Sequence, residues 1–173
     1  MEKIEEILLH LYDSVAYGFS YRAKKMFGIS EYFNHWKAGE VGNTIRDLNK
    51  QKLIQKKNYN GSVIISLTEK GMLRALNISF RSLPNKKEKW DGKWRMVAFD
   101  IPNSCRKGRD AIRYRMKLGG FYKLHESLFL YPFDCKREID ALVELFKLKK
   151  FVHFGLLDFI DNEDELKREF ELV

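Results

Sequence analysis

Cysteine and long apolar runs are scarce in this sequence, and both absences exclude whole classes of protein. The two cysteines, Cys105 and Cys135, stand 30 positions apart with no second pair nearby. This spacing does not suit a zinc ribbon, and two cysteines make a poor disulfide framework, so we expect reduced thiols and a cytoplasmic location. No apolar stretch approaches the ~18 residues of a membrane-spanning helix, so we expect no membrane partner.

Histidine is also sparse. The chain has four histidines, and they share no spacing typical of metal ligands. Ser104 and Ser127 have no histidine or aspartate at the spacing of a nucleophilic motif. The residues themselves therefore favour neither a cofactor nor an active-site nucleophile.

Positive charge is what the sequence has in excess, and it is unevenly placed. The 173 residues carry a formal net charge of +8. Residues 1–89 contain 16 basic and 9 acidic residues, whereas residues 90–173 contain 16 and 15. The first half therefore carries most of the positive field, which predicts a polyanion, in particular nucleic acid, as its partner.

The first half shows the pattern of a small helical module with a hairpin. Residues 2–16 and 38–51 have apolar residues at helical spacing, and Thr68 is suited to cap a further helix up to Ile78. Between them, two strand-like runs flank Asn60-Gly61, a strong hairpin signal. The aromatic-rich segment 20–36 is weakly periodic, and we expect one or two short helices around Ala23–Phe27.

The second half follows a different order. The pattern from residue 94 predicts strand, helix, strand, strand, helix and strand, which is the ferredoxin-like order. The chain is therefore predicted to be an α+β protein with the following parts: a winged helix-turn-helix domain at 1–80, a linker at 81–93, a ferredoxin-like domain at 94–160, and an acidic C-terminal tail at 161–173 that makes a short helix.

The helix predicted at 38–51, with its apolar stripe at 41–54, and the following hairpin carry the candidate DNA-binding residues. An apolar stripe of Val41, Ile45 and Leu48 turns the polar side outward, where amide and guanidinium groups suit base edges. Asp47 lies on the same side and is expected to pair with a neighbouring Lys or Arg. The hairpin offers donors suited to phosphate oxygens. The predicted contact residues are Asn43, Arg46, Lys50, Lys56, Lys57, Asn58 and Asn60.

One stretch carries a family resemblance. The run WDGKWRMVAFDIPNSCRKGRDAIRYRMKLGGFYKLHESLFLYPFD has a Trp-rich strand ending in Phe-Asp-Ile-Pro, an Arg-rich helix, Gly-Phe, and a strand ending in Tyr-Pro. It resembles the central domain of the phenylacetate-degradation repressors of the PaaX type. The upstream winged helix resembles that family's N-terminal domain. The central domain is in turn similar to the small subunit of the CRISPR spacer-acquisition complex.

The resemblance implies a homodimer that presents two winged helices to double-stranded DNA with a palindromic operator. It also implies a small acyl-CoA effector, but this sequence lacks the long C-terminal ligand-associated region of typical family members, so we do not expect that effector. We expect the dimer to bury Phe151, Phe154 or Leu156, because the run FVHFGLLDFI is more apolar than one face of a small sheet requires.

Asp100 has two possible roles, one in metal-dependent catalysis and one in the structure. In the CRISPR-associated relatives, an Asp at this strand end pairs across the dimer and holds Mg²⁺ for phosphodiester cleavage, with an integrase subunit as partner. The structural alternative is that Asp100 caps the next helix or pairs with Arg109. We favour the structural role. Arg106, Arg109 and Arg113 are candidates for contacts to a nucleic-acid backbone, as in the CRISPR adaptation complex, or are solvated or paired with Asp110.

Overall fold

The chain folds into two compact units, Met1–Ile78 and Ser79–Val173. The structure is a computed structural model that describes residues 2–16, 24–25, 33–37, 39–59, 62–83 and 89–172. Both units combine helices with antiparallel strands, which confirms the predicted α+β class. Among the described residues, none of the helices has the length and apolar character needed to cross a membrane.

The first unit places helices around a small sheet. Its described elements are α1 Lys3–Ala16, β1 Lys24–Lys25, α2 Glu40–Lys50, β2 Ile54–Tyr59, β3 Ser62–Leu67 and α3 Glu69–Arg81, the last of which continues into the second unit. The sheet has the order β1-β3-β2, and both pairings are antiparallel. The predicted hairpin is therefore present as β2 and β3, and its turn at 60–61 lies outside the described residues.

The core of the first unit comes from the apolar stripes that the sequence predicts. Ile7, Leu8 and Leu11 of α1 are buried, as are Ile45 and Leu48 of α2. Side chains three and four positions apart lie on one face of a helix, so each stripe buries a single face and leaves the polar face in water.

Lys24–Lys25 departs from the expectation of a short helix around 23–27. These two residues form a strand, with Lys24 opposite Ile65 and Lys25 opposite Ile64. The pairing partner is β3, and the paired residues are 39 and 41 positions apart in sequence, so the strand depends on a long-range contact. The rest of the predicted helical segment lies outside the described residues.

The second unit is a four-stranded antiparallel sheet with helices. Its elements are β4 Trp94–Phe99, α4 Arg106–Leu118, β5 Tyr122–His125, β6 Leu128–Tyr131, α5 Lys136–Leu145, β7 Val152–Leu157 and α6 Glu163–Glu169. The strand order is β5-β6-β4-β7, so β4 is an inner strand and β5 and β7 are the edges.

The register divides the second sheet into two faces. Val97 lies opposite Phe129 and Phe154, and these residues share the face on which Lys136 of α5 covers the ring of Phe154. Met96 lies opposite Leu130 and therefore belongs to the other face. Residues on that other face pack with Trp94, which is fully buried.

The acidic C-terminal segment packs against this second face. Leu166 of α6 is fully buried in a cluster with Trp94 and Leu130. The Trp94 indole N–H donates to Glu163 (3.2 Å), and the Tyr122 hydroxyl donates to Glu165 (3.2 Å). The segment forms the short helix that the sequence predicts, and it contributes to the core of the second unit.

The end of the predicted linker is fixed to β4. Arg95 forms a bidentate pair with Asp91 (2.6 and 2.7 Å) and also donates to the carbonyl of Pro132 (2.7 Å). The hydrogen bond from Arg95 lowers the pKa of Asp91. Residues 89–93 are therefore attached to the second unit, whereas 84–88 lie outside the described residues.

We predict that Leu166→Ala lowers the free energy of unfolding of the second unit by about 2–5 kcal/mol, because it leaves a cavity beside Trp94. Urea denaturation followed by tryptophan fluorescence measures this change. Glu169→Ala, at an exposed position of the same helix, is the control and should change stability by less than about 0.5 kcal/mol. Equal effects of the two substitutions would contradict the packing of α6.

Candidate nucleic-acid interface

Helix α2 exposes the side chains that the sequence assigns to DNA recognition. Asn43, Arg46 and Lys50 are all exposed, since the opposite face is buried through Ile45 and Leu48. The Arg46 guanidinium donates to the Asn43 amide oxygen (3.3 Å). The structure therefore brings these two predicted residues together, with the Arg46 charge next to an amide and still open to solvent.

Asp47 lies on the same exposed side of α2. Its carboxylate is 4.0 Å from the Lys50 ammonium, and both side chains are more than half exposed. This is the pairing with a neighbouring cation that the sequence predicts. An exposed ion pair at this distance contributes at most about 1 kcal/mol. The Lys50 ammonium can therefore leave Asp47 and bind another anion at little cost in free energy.

Contacts at the N-terminus of α2 fix where the helix begins. Gly39 precedes the helix with φ of +83°, a left-handed conformation that favours glycine. Glu40 forms an ion pair with Lys3 of α1 (2.6 Å) and accepts a hydrogen bond from the backbone N–H of Lys37 (3.0 Å). The Lys3 hydrogen bond lowers the pKa of Glu40, so the carboxylate stays ionised.

Contacts at the C-terminus of α2 connect it to the hairpin. The Thr68 hydroxyl donates to the carbonyl of Lys52 (2.8 Å) and accepts from the backbone N–H of Gly71 (3.0 Å). Gly71 has no room for a side chain, because a Cβ there would lie 1.9 Å from the Leu53 carbonyl oxygen. The end of α2, the start of β2 and the start of α3 are thus held in contact.

The hairpin residues divide between two faces of the sheet. Lys56 lies opposite the buried Ile65, whereas Lys57 lies opposite Ile64, so the two lysines project from opposite faces. Asn58 shares the face of Lys56, and all three side chains are exposed. The edge strand β2 therefore presents Lys56 and Asn58 on one face of the sheet and Lys57 on the other. Asn60, the fourth predicted hairpin residue, lies outside the described residues.

Lys52 is a further cation near this surface, at a position that no sequence pattern singles out. It is exposed, and with φ of +57° it occupies the turn between α2 and β2. The position belongs to neither the apolar stripe of the helix nor the alternation of the strand. Its positive charge is the only feature of the sequence that points to an anion contact there.

The three arginines of α4 that the sequence suggests for backbone contacts have different environments. Arg106 is exposed and lies 3.5 Å from Asp110, which is the pairing with Asp110 that the sequence suggests as one possibility for this row. Arg109 donates to the carbonyl of Ile101 (3.3 Å) and to Asn103 Oδ1 (3.1 Å). Arg113 donates to the carbonyl of Glu126 (3.2 Å). The latter two therefore stabilise the second unit.

The expected capping role of Asp100 is wrong. Neither the 3₁₀ turn Asn103–Cys105 nor α4 receives a side-chain cap at its N-terminus. Arg109, the expected ion-pair partner, bonds to neutral oxygen acceptors instead. Asp100 is exposed at the end of β4, and its backbone N–H donates to the Phe151 carbonyl (2.9 Å). The Pro102 backbone is extended before the helix, which separates the carboxylate from the first turn.

The two cysteines of the chain both lie in the second unit. Cys105 and Cys135 are both free thiols, and burial raises the pKa of Cys135. In the described part of the chain, His, Cys, Asp and Glu do not gather into any group of three that could hold a metal ion.

Comparison with known families matches one part of the chain. Residues 87–167 match the family model of the PaaX protein central Cas2-like domain. No curated protein matches the chain. The matched residues run from before β4 into α6, and the match supports the PaaX-type resemblance for the second unit.

We predict that Asp100→Asn changes the free energy of unfolding by less than about 0.5 kcal/mol, because the carboxylate is exposed and caps no helix. We also expect no Mg²⁺-dependent cleavage by the wild-type protein, since one carboxylate per chain is a poor site for a hard cation. The assay incubates single- and double-stranded DNA and RNA with Mg²⁺ or Mn²⁺, with EDTA as control. Cleavage by the wild type that disappears in Asp100→Asn would establish a catalytic site.

Proposed function

We propose that the chain is a PaaX-type transcriptional regulator that binds double-stranded DNA in the cytoplasm as a homodimer. The observation that carries this proposal is α2, a helix with Asn43, Arg46 and Lys50 on its exposed face, followed directly by a hairpin with exposed lysines. The family match of the second unit supports the same class of protein.

The arrangement of the first unit favours a winged helix-turn-helix. Helices α1 and α2 precede the β2–β3 hairpin, and β1 adds to the free side of β3. In this class of domain the second helix of the motif enters the major groove and the hairpin lies against the backbone. We assign α2 to the groove and the hairpin to the wing.

The side chains suit these two roles. Arg46 and Asn43 are the residue types that form bidentate contacts with guanine and adenine edges. Lys56, Lys57 and Asn58 are donors for phosphate oxygens and do not read sequence. Because Lys56 and Lys57 lie on opposite faces of the strand, we assign only one of them to a given phosphate strand.

The second unit supports a ferredoxin-like domain. Its elements follow the order strand, helix, strand, strand, helix, strand, and α6 is added at the end. The sheet order β5-β6-β4-β7 brings the first and last strands of this motif side by side, as expected for the split βαβ arrangement.

The β7 edge is the surface that we assign to dimerisation. Leu156 on this edge is 56% exposed, and Phe159 just beyond it is 71% exposed. The rings of Phe151 and Phe154 are half-buried, and Lys150 and Lys136 cover them. Of the three residues expected at the interface, Leu156 is therefore the best candidate, and Phe159 is an additional one.

No specific observation on the described residues favours the nuclease alternative. Under that alternative, Asp100 would hold Mg²⁺ across a dimer and an integrase subunit would be the partner. The exposed lysines of the hairpin and the polar face of α2 have no use in that chemistry. We therefore keep the regulator as the proposed function.

The DNA contacts can be separated by substitution. We expect Arg46→Ala to lose about 1–3 kcal/mol of sequence preference, because it removes a base contact, and Lys57→Ala to weaken binding to all duplexes alike. Selection of bound duplexes from a random pool, followed by titration at several salt concentrations, measures both effects. Lys117→Ala, an exposed position in the last turn of α4, is the control. If neither substitution changes binding, the assignment of α2 and the wing is wrong.

The dimer can be tested with two exposed leucines on opposite edges of one sheet. We expect a dimer by light scattering and a monomer near 20.6 kDa for Leu156→Asp, because a charge on β7 opposes burial of that edge. Leu124→Asp, on the β5 edge and 41% exposed, should remain dimeric. A monomeric wild type over the whole micromolar range would contradict the proposal.

A further inference from the structure

Residues 90–173 are nearly neutral in total charge, but their charges are segregated. Residues 158–173 contain two basic and seven acidic residues, whereas residues 90–157 contain fourteen basic and eight acidic residues. The acidic part includes α6, which packs on the sheet beside Trp94. The excess of positive charge therefore lies elsewhere in the unit, and part of it gathers where β4 ends.

Packing brings the loop after α5 against the first turn of α4. A Cβ at Gly108 would lie 2.8 Å from a methyl carbon of Leu148, so the two segments are in close contact. Leu148 itself is fully buried. The lysines on either side of it, Lys147 and Lys149, are exposed. The buried leucine thus anchors a basic loop beside the start of α4.

Backbone hydrogen bonds hold this loop in a defined conformation. The backbone N–H of Leu148 donates to the Val143 carbonyl (2.8 Å), and that of Phe151 donates to the Leu148 carbonyl (2.8 Å). The Phe151 carbonyl accepts from Asp100 at the end of β4 (2.9 Å). The lysines are therefore carried by a structured turn, which lowers the entropy lost when they bind a partner.

Cations outnumber carboxylates on this surface, which we call the basic end. Arg109 bonds only to neutral oxygens, so its charge is not compensated by a carboxylate. Arg106 is 3.5 Å from Asp110, but both side chains are more than half exposed and the pair is weak. The cations of the basic end are Arg106, Lys107, Arg109, Lys147, Lys149 and Lys150, and its exposed carboxylates are Asp100, Asp110 and Glu144.

We propose that the basic end binds the phosphate backbone of double-stranded DNA and forms a second DNA contact besides the first unit. The inference rests on the proposed function. Three of the six cations lie within four residues of one turn, Lys147 to Lys150, and a lysine ammonium binds phosphate as a point charge without reading bases. The contact is therefore expected to add affinity and salt dependence and no sequence preference.

The test compares two double charge reversals that change the net charge of the full chain equally. Lys149→Glu/Lys150→Glu alters the basic end, and Lys117→Glu/Arg168→Glu alters exposed positions at the end of α4 and in α6. We measure binding to a random-sequence duplex by fluorescence anisotropy over a series of salt concentrations. The first variant should bind at least about tenfold more weakly, and its salt slope should fall by about 2, because two phosphate contacts are lost.

The control variant should stay within about threefold of the wild type at moderate salt, since it changes only the general field of the protein. The milder pair Lys149→Gln/Lys150→Gln repeats the test without adding negative charge, and circular dichroism confirms that each variant is folded. Equal weakening by both charge reversals, or none by either, would overturn the inference.

Substitutions in the first unit separate this inference from the proposed function. If Arg46→Ala and Lys57→Ala alter binding but the basic-end variants behave as the control, the second contact is wrong and the proposed function stands. If only the basic-end variants weaken binding, the assignment of the first unit is wrong and the second contact stands. A wild-type chain that binds no duplex contradicts both.

Discussion

Burial of β4 between β6 and β7 is the interaction on which the second unit depends. Trp94 at the start of this strand is fully buried against Leu130 and Leu166, and its indole N–H finds an acceptor in Glu163. A tryptophan buried in this way contributes several kcal/mol to stability. The same strand sets the position of Asp100 at its other end. Central packing therefore fixes both the acidic segment and the place where the basic end begins.

The first unit uses a similar principle at smaller scale. Ile45 and Leu48 hold α2 by its buried face, and Lys3 and Thr68 fix the segments at its two ends. The side chains of the exposed face that we assign to DNA contacts, Asn43, Arg46 and Lys50, make only weak pairs within the helix. A surface of this kind keeps its charged groups available, because each pair costs little to open.

Local patterns were sufficient to predict most of the elements. The stripes of α1 and α2 follow a helical period, and the order of elements in the second unit could be read from alternating apolar runs. The strand at Lys24–Lys25 and the position of Asp100 could not, since both depend on residues distant in sequence. Arg106 and Arg109 of the basic end were candidates from the sequence, but its lysine loop was hidden, because Lys147, Lys149 and Lys150 and the acidic residues of α6 cancel when charge is summed over the half. Of the predicted contact residues, those of α2 lie together, whereas the hairpin residues are split by the alternation of the strand.

The central claim is that the first unit binds duplex DNA through α2 and the β2–β3 hairpin. Hydrogen–deuterium exchange of the full chain, with and without duplex DNA, tests it most directly, because bound segments exchange more slowly. The account predicts slower exchange at 40–59 in the presence of DNA, with α6 unchanged. Bound DNA that leaves 40–59 unprotected would contradict it.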